Sequence, residues 1–214
     1  AAVLTGFVVD AVMEKMSDLR KGKSAVKEWN HTLLIGWTDR SIAFIQQICL
    51  ANESEGGGVI VVLSEEEKEK MEADLHATLR QRDLLGSRVV FRSGSPLSSH
   101  DLRRAAAPTA RSIVIMASGD SHYIADAATL RVVIALKTFP SLSGHVVVEV
   151  LDKEMEYLMR IVGGDEIETL ITHETLARMS LSSIKQPGIA VAYENILGFE
   201  GDEFYTKKWP EMAG

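Results

Sequence analysis

From Thr32 onward, short apolar runs rich in β-branched residues alternate with longer segments of mixed polarity. The runs cover 32–37, 58–63, 87–92, 111–117, 144–150 and 166–172, and the segments between them 39–53, 65–84, 98–106, 121–138 and 152–162. This alternation of strand-length and helix-length pieces predicts an α/β fold, a doubly wound, mostly parallel, six-stranded sheet with flanking helices. Val59 to Leu63 and Ile113 to Met116 are continuously apolar, so helices are expected on both faces of those strands. Ser64 is placed to cap the helix that follows, with Glu65 to Glu67 setting negative charge at its positive end.

Two further patterns flank the sheet. Phe7, Val8, Ala11, Val12, Met16 and Leu19 recur at helical spacing, and the basic cluster Arg20-Lys21-Gly22-Lys23 follows them, which predicts an amphipathic helix and linker outside the α/β core. After the sheet, 174–185 and 188–197 read as two helices broken at Gln186-Pro187-Gly188, and a strand at 204–207 opens a second lobe. These two helices are apolar on more than one side, so they are expected to pack against a neighbouring subunit.

Composition narrows the class. With 214 residues, 46% of them hydrophobic, the chain can bury one sizeable core. The net charge of −7 argues against a nucleic-acid partner, because counterion release needs clustered Lys and Arg. The single cysteine, Cys49, lies in an apolar helical run and reads as a small buried hydrophobe. No run reaches the roughly 18 apolar residues of a membrane span. The start Ala1-Ala2-Val3-Leu4 has neither an initiator Met nor a basic signal flank. We expect a piece of a longer chain, with any membrane segment outside it.

The turn after the first strand, Gly36-Trp37-Thr38-Asp39-Arg40-Ser41, has the first glycine of a dinucleotide fingerprint but Thr and Ser at the second and third positions. Without the second Gly a pyrophosphate cannot approach the backbone closely, and Trp37 adds bulk, so classical NAD binding is not expected. Ligands in open α/β folds bind at the carboxyl edge of the sheet. The candidate crevice is therefore Gly36, Trp37, Thr38, Asp39 and Arg40, with Ser64, Glu65, Ser93, Gly94, Ser95 and the turn from Ser118 to Asp120. Gly119-Asp120-Ser121-His122 resembles a serine-hydrolase motif but lacks its Asp-x-x-His partner, and G-x-S-x-G is absent. Gly22-Lys23-Ser24 lacks the first glycine and the preceding strand of a phosphate loop. The six histidines show no close zinc spacing. Oxygen-rich clusters suit calcium better: Asp152, Glu154 and Glu156; Asp165, Glu166 and Glu168; Glu200, Asp202 and Glu203. Taken alone, each cluster reads first as a solvated face.

A composite of motifs spans nearly the whole chain: Phe7-Val8-Val9-Asp10 through Leu19-Arg20-Lys21-Gly22-Lys23-Ser24, Asn30-His31-Thr32 with Gly36-Trp37, Ala51-Asn52-Glu53-Ser54 with Gly56-Gly57-Gly58, Arg92-Ser93-Gly94-Ser95-Pro96, Gly144-His145-Val146-Val147-Val148-Glu149, Val162-Gly163-Gly164, Gln186-Pro187-Gly188, and Ile196-Leu197-Gly198-Phe199-Glu200 with Lys208-Trp209-Pro210. In this order it resembles the Castor/Pollux ion channels. The resemblance implies a tetrameric cation channel in which identical subunits pair their RCK (regulator of conductance) lobes, with a pore domain in the same full-length chain. It assigns 1–26 to the end of the pore-lining helix and its linker, 27–185 to a Rossmann-like lobe, 186–198 to a crossover helix and 203–214 to the start of a second lobe. It also implies calcium-responsive gating and a nuclear-envelope, plastid or other organelle membrane. The segments 123–137 and 174–185 match less closely, and no calcium ligand carries over residue by residue.

The reading is a ligand-sensing gating module without catalysis, with Arg20, Lys21, Gly22 and Lys23 as the gating linker and calcium as a candidate ligand. One rival is a soluble NAD(H)-binding subunit of a potassium transporter, which the altered glycine positions oppose. The other is a Rossmann-fold oxidoreductase, which lacks a substrate domain and a convincing acid or base.

Overall fold

The strand β1 (Thr32–Ile35) is buried at all four positions because its alternate side chains enter two different cores. Leu33 and Ile35 face one, Leu34 the other. This is the two-sided burial that a continuous apolar run predicts for an interior parallel strand. In the computed structural model, which describes residues 13, 16, 17, 19–119 and 121–199, β1 is joined by β2 (Val59–Ser64), β3 (Arg88–Ser93), β4 (Ser112–Ile115), β5 (His145–Val150) and β6 (Ile167–Ile171). The sheet order is β3-β2-β1-β4-β5-β6 and every pairing is parallel. The expected six-stranded, doubly wound sheet is therefore the fold.

The helices α1 (Ser41–Ala51) and α2 (Lys68–Thr78) cover one face, where Ile45, Cys49, Met71 and Leu75 meet Leu34, Ile60, Val62 and Phe91. On the other face lie α3 (Ser99–Arg104), α4 (His122–Leu136) and α5 (Lys153–Gly163), which bring Leu102, Val133, Leu136 and Met159 onto Val61, Ile113 and Val148. Cys49 is fully buried, as its apolar setting suggested, and burial raises its thiol pKa.

The element bounds depart from the sequence pattern in instructive places. β1 ends at Ile35, two residues before the apolar run does, because Gly36 turns the chain at φ +100°. A Cβ there would sit 3.1 Å from the Met116 carbonyl oxygen, so the turn suits glycine alone. The segment 65–84 is not one helix: Leu79 and Arg80 are extended, and the Asp83 carboxylate accepts the Arg80 N–H at 2.8 Å to start a separate 3-10 turn, Gln81–Leu84. Ser64 does not cap α2. It is the last residue of β2, its hydroxyl accepts the Glu66 N–H at 3.2 Å, and Glu67 stands at the helix start without a side-chain cap bond.

The chain divides into compact units at 1–173 and 174–214. Among the described residues, the helices α6 (Thr172–Lys185) and α7 (Ile189–Leu197) bury none. Leu181, Ile184 and Leu197 are more than half exposed. Of the pre-sheet helix expected from Phe7 to Leu19, the described positions 13, 16, 17 and 19 are helical. The strand expected at 204–207 lies outside the described residues.

His31 connects the core to pH. It is buried, with Nε2 bonded to the Ala105 carbonyl at 3.2 Å and Nδ1 unpartnered. Burial lowers its pKa below 6.5, against the pull of the Ala105 carbonyl and Glu28. The unfolded chain thus takes up a proton that the folded chain refuses, so the stabilisation is full above the unfolded pKa and is lost as pH falls through the folded one. The urea midpoint should decline on acidification from about pH 7 to about pH 5, and decline less in His31→Gln.

Candidate ligand crevice and linker contact

β1 pairs with β2 on one side and β4 on the other, and the chain leaves it toward opposite edges of the sheet. That reversal opens a crevice at the carboxyl ends of β1 and β4. A cavity of about 410 Å³ lies there, lined by Gly36, Trp37, Ser64, Glu65, Met116 and Ser118 among others. Five of the candidate crevice residues, Gly36, Trp37, Ser64, Glu65 and Ser118, thus converge. Ser95 joins them by donating its hydroxyl to the Glu65 carboxylate at 2.7 Å. Ser93 and Gly94 do not line the cavity: the Ser93 hydroxyl bonds the Glu66 carbonyl at 2.8 Å, and Gly94 packs on Asp101. Asp120 is outside the described residues.

The phosphate turn is closed on itself. The Thr38 N–H donates to the Ser41 hydroxyl at 2.8 Å, and the Ser41 N–H to the Thr38 carbonyl at 3.1 Å. The two residues that replace glycines therefore satisfy each other. Trp37 leans toward α2, its ring edge-on to Phe91 at 5.5 Å and its Nε1 donating to Asp74 at 3.4 Å. Arg40 reaches across the turn to Glu149 at the end of β5 and to the Ala117 carbonyl. Glu149 is buried and also accepts the Ala117 N–H at 3.0 Å and the Thr172 hydroxyl at 3.2 Å. The Arg40 guanidinium, the cation of the turn, is thus engaged by Glu149 instead of standing free for a pyrophosphate. Calorimetry with NADH should show no binding tighter than about 1 μM, roughly −8 kcal/mol.

Glu149 entered the sequence reading only as part of a motif. Its signal was there: one acidic residue inside the otherwise apolar stretch Val146 to Val150, at a position buried from both sides. The same region anchors the root of α6, since Thr172 bonds Glu149 and His173 stacks on His122 with ring centroids 4.7 Å apart. The Ser121 Oγ caps α4 by accepting the Ile124 N–H at 3.4 Å.

A second constellation holds the linker. Gly22 turns at φ +69°, and a Cβ there would lie 3.1 Å from both the Ser93 nitrogen and the Lys68 side chain, so glycine lets the linker lie against the end of β3. Arg104 clamps it, donating to the Gly22 carbonyl at 3.3 Å, the Ser93 carbonyl at 3.1 Å and Asp101 at 2.6 Å. Lys68 donates to the Leu19 carbonyl at 3.3 Å, and the Val26 N–H to the Arg104 carbonyl at 2.7 Å. Arg20, Lys21 and Lys23 beside this contact are exposed. Sequence reasoning missed Asp101 and Arg104; their three-residue spacing on α3 was the available clue.

The carboxylate clusters are dispersed. Asp152 caps α5 by accepting the Glu154 N–H at 3.0 Å, while its own N–H and that of Leu151 bond the buried Asp126. Glu156 pairs with Arg160, Glu166 with Lys137 and Glu168 with His145. Glu154 and Asp165 are exposed. Among the described residues no three His, Cys, Asp or Glu side chains converge to hold a metal ion. Glu200, Asp202 and Glu203 lie outside them.

A parallel sheet with this switch point and a linker fastened to its carboxyl edge defines a class, and family comparison agrees. Residues 28–180 match the calcium-activated potassium channel slowpoke-like RCK domain, and the chain belongs to that family. Residues 173–214 match the model described as Castor and Pollux, part of voltage-gated ion channel, which bears out the resemblance read from the motifs. Over its whole length the chain is 47% identical to the probable ion channel SYM8 of Pisum sativum. It is 46% identical to the ion channel POLLUX and 44% to the ion channel CASTOR, both of Lotus japonicus. It spans 24%, 23% and 25% of those relatives' lengths, respectively. The human SLO3 gating ring has the same fold, with a TM-score of 0.56 and 18% identity over 85% of this chain and 31% of that one. No helix among the described residues is long and apolar enough to cross a membrane.

Proposed function

We propose that this chain is the ligand-sensing gating domain of a tetrameric cation channel of the Castor/Pollux type, without catalysis of its own. One observation carries the reading: the carboxyl edge of the sheet is bonded directly to the linker, through Arg104 and Lys68 on Gly22 and Leu19. A ligand that favours one arrangement of the edge loops therefore favours one position of the linker, and the pore equilibrium shifts by the ligand's differential affinity. The apolar faces of α6 and α7 suit packing between identical subunits.

Calcium is the ligand we favour. The support is the acidic balance of the chain, its membership of a family described by calcium activation, and the hard oxygen donors at the carboxyl ends of β5 and beyond. Since the described carboxylates do not converge, the reading requires a donor set completed by chain beyond them. Calcium bound to the folded state alone adds RT ln(1 + [L]/Kd), about 2.7 kcal/mol at a hundredfold excess over Kd. The melting temperature of the full-length protein should rise in millimolar calcium and rise less in equal magnesium, whose octahedral shell tolerates a loose carboxylate set poorly. Equal shifts, or none, would remove calcium from the proposal.

A further inference from the structure

We infer that Ser24, in the linker, is a phosphorylation site for a kinase that selects basic residues around its target serine. The stretch from Leu19 to Lys27 holds Arg20, Lys21, Lys23 and Lys27 and no carboxylate. All four cations are exposed, and none has an ion-pair partner among the described residues, although Glu65, Glu67 and Glu69 share a cavity with three of them. Their charge is therefore free to meet an acidic kinase cleft. The Ser24 hydroxyl is uncommitted too: it reaches solvent and has no hydrogen-bond partner among the described residues. Ser95 differs. Arg92 stands three residues ahead of it, but its hydroxyl donates to Glu65 and its N–H to Asp101.

The backbone suits a kinase as well. From Lys23 to Trp29 the chain forms neither helix nor strand, and alternate residues are exposed. Among the described residues no hydrogen bond holds Lys23, Ser24 or Ala25; on either side, the Gly22 carbonyl accepts from the Arg104 guanidinium and the Val26 N–H donates to the Arg104 carbonyl. A segment tied by so few bonds opens locally at small cost. The step moves the terminal phosphoryl group of ATP: its bond to the Ser24 Oγ forms as its bond to the bridging oxygen of ADP breaks, and the hydroxyl proton passes to a carboxylate of the kinase. The product carries close to two negative charges. Placed between the two bonds to Arg104, its oxygens compete with the Gly22 carbonyl for that guanidinium, so the modified linker is held less firmly. The modification itself does not depend on the gating role proposed above.

The full-length protein in detergent is incubated with magnesium ATP and the catalytic subunit of cyclic-AMP-dependent protein kinase, which selects basic residues. A parallel sample receives a proline-directed kinase, for which Ser95 ahead of Pro96 is the matching serine. Mass spectrometry then locates the phosphate. It is expected on Ser24 with the first kinase and not with the second. Arg20→Gln combined with Lys21→Gln should slow its addition by about tenfold or more, as for the loss of charge-assisted contacts. Hydrogen exchange in the phosphorylated protein should accelerate around Gly22, and Ser24→Ala treated in the same way should show neither the phosphate nor the acceleration. The proposal fails if the folded protein gains no phosphate on Ser24, if it gains one only in urea, if the proline-directed kinase places it equally well, or if the double variant gains it as fast as the parent. Exchange that stays the same or slows in the phosphorylated protein overturns the loosened linker.

Discussion

Glu149→Ala is expected to lower the unfolding free energy by about 2–3 kcal/mol. The carboxylate receives three donors: the Arg40 guanidinium, the Ala117 N–H and the Thr172 hydroxyl. Its loss strands the Ala117 N–H in a buried setting, at roughly 1–3 kcal/mol for an unsatisfied donor. Breaking a fully buried ion pair costs about 3–5 kcal/mol, but the Arg40 side chain is 46% exposed and solvent takes up much of its charge, so the expected value stays below that range. Urea unfolding of the parent and variant measures the difference. Glu149→Gln, which keeps an oxygen for the Ala117 N–H, should lose about half as much. A change under about 0.5 kcal/mol in Glu149→Ala would mean that the crevice end of β5 is not held by this group.

The second large effect is expected at Arg104. Its side chain is 16% exposed and joins Asp101 on its own helix to carbonyls from β3 and the linker. Arg104→Met keeps most of the packing volume but leaves the part-buried Asp101 without its cation, and about 2–3 kcal/mol of stability should be lost. The change separates fold from linkage, because the Val26 N–H bond goes to the Arg104 backbone and survives. Hydrogen exchange should therefore accelerate in the linker around Gly22 while the N–H of Val26 stays protected. In the full-length protein the same variant should retain ligand binding and lose most of the coupling free energy between ligand and pore, typically about 1–3 kcal/mol. Unchanged exchange in the linker would show that Arg104 does not hold it.

Legibility was uneven, and the reasons are physical. The interior strands Val59–Ser64 and Ser112–Ile115 were evident because burial on both faces imposes apolar residues at every position, a constraint that a single chain displays. Ser121 and Ser98 act as helix caps, through bonds only three residues long. Ser64 was misassigned because the same hydroxyl can satisfy a turn N–H two residues on instead of a helix N–H, and only the backbone path decides which. The crevice was legible as loops at one sheet edge, and Gly36, Trp37, Ser64 and Glu65 do converge there. Arg40 was placed in the crevice by the same reasoning, yet its guanidinium turns to Glu149 instead.

By itself the sequence determined the order of strands and helices, the two-faced core and the absence of a dinucleotide fingerprint. Those properties rest on local periodicity and on residue types at fixed spacing, which need no knowledge of the folded chain. Only the tertiary structure decided that Arg40 meets Glu149, 109 positions away, and that Arg104 holds the carbonyl of Gly22, 82 positions away. Such pairs depend on which strands lie side by side and where each ends. The reversal at β1 sets that arrangement: it brings the end of β5 to the phosphate turn and the end of β3 to the linker.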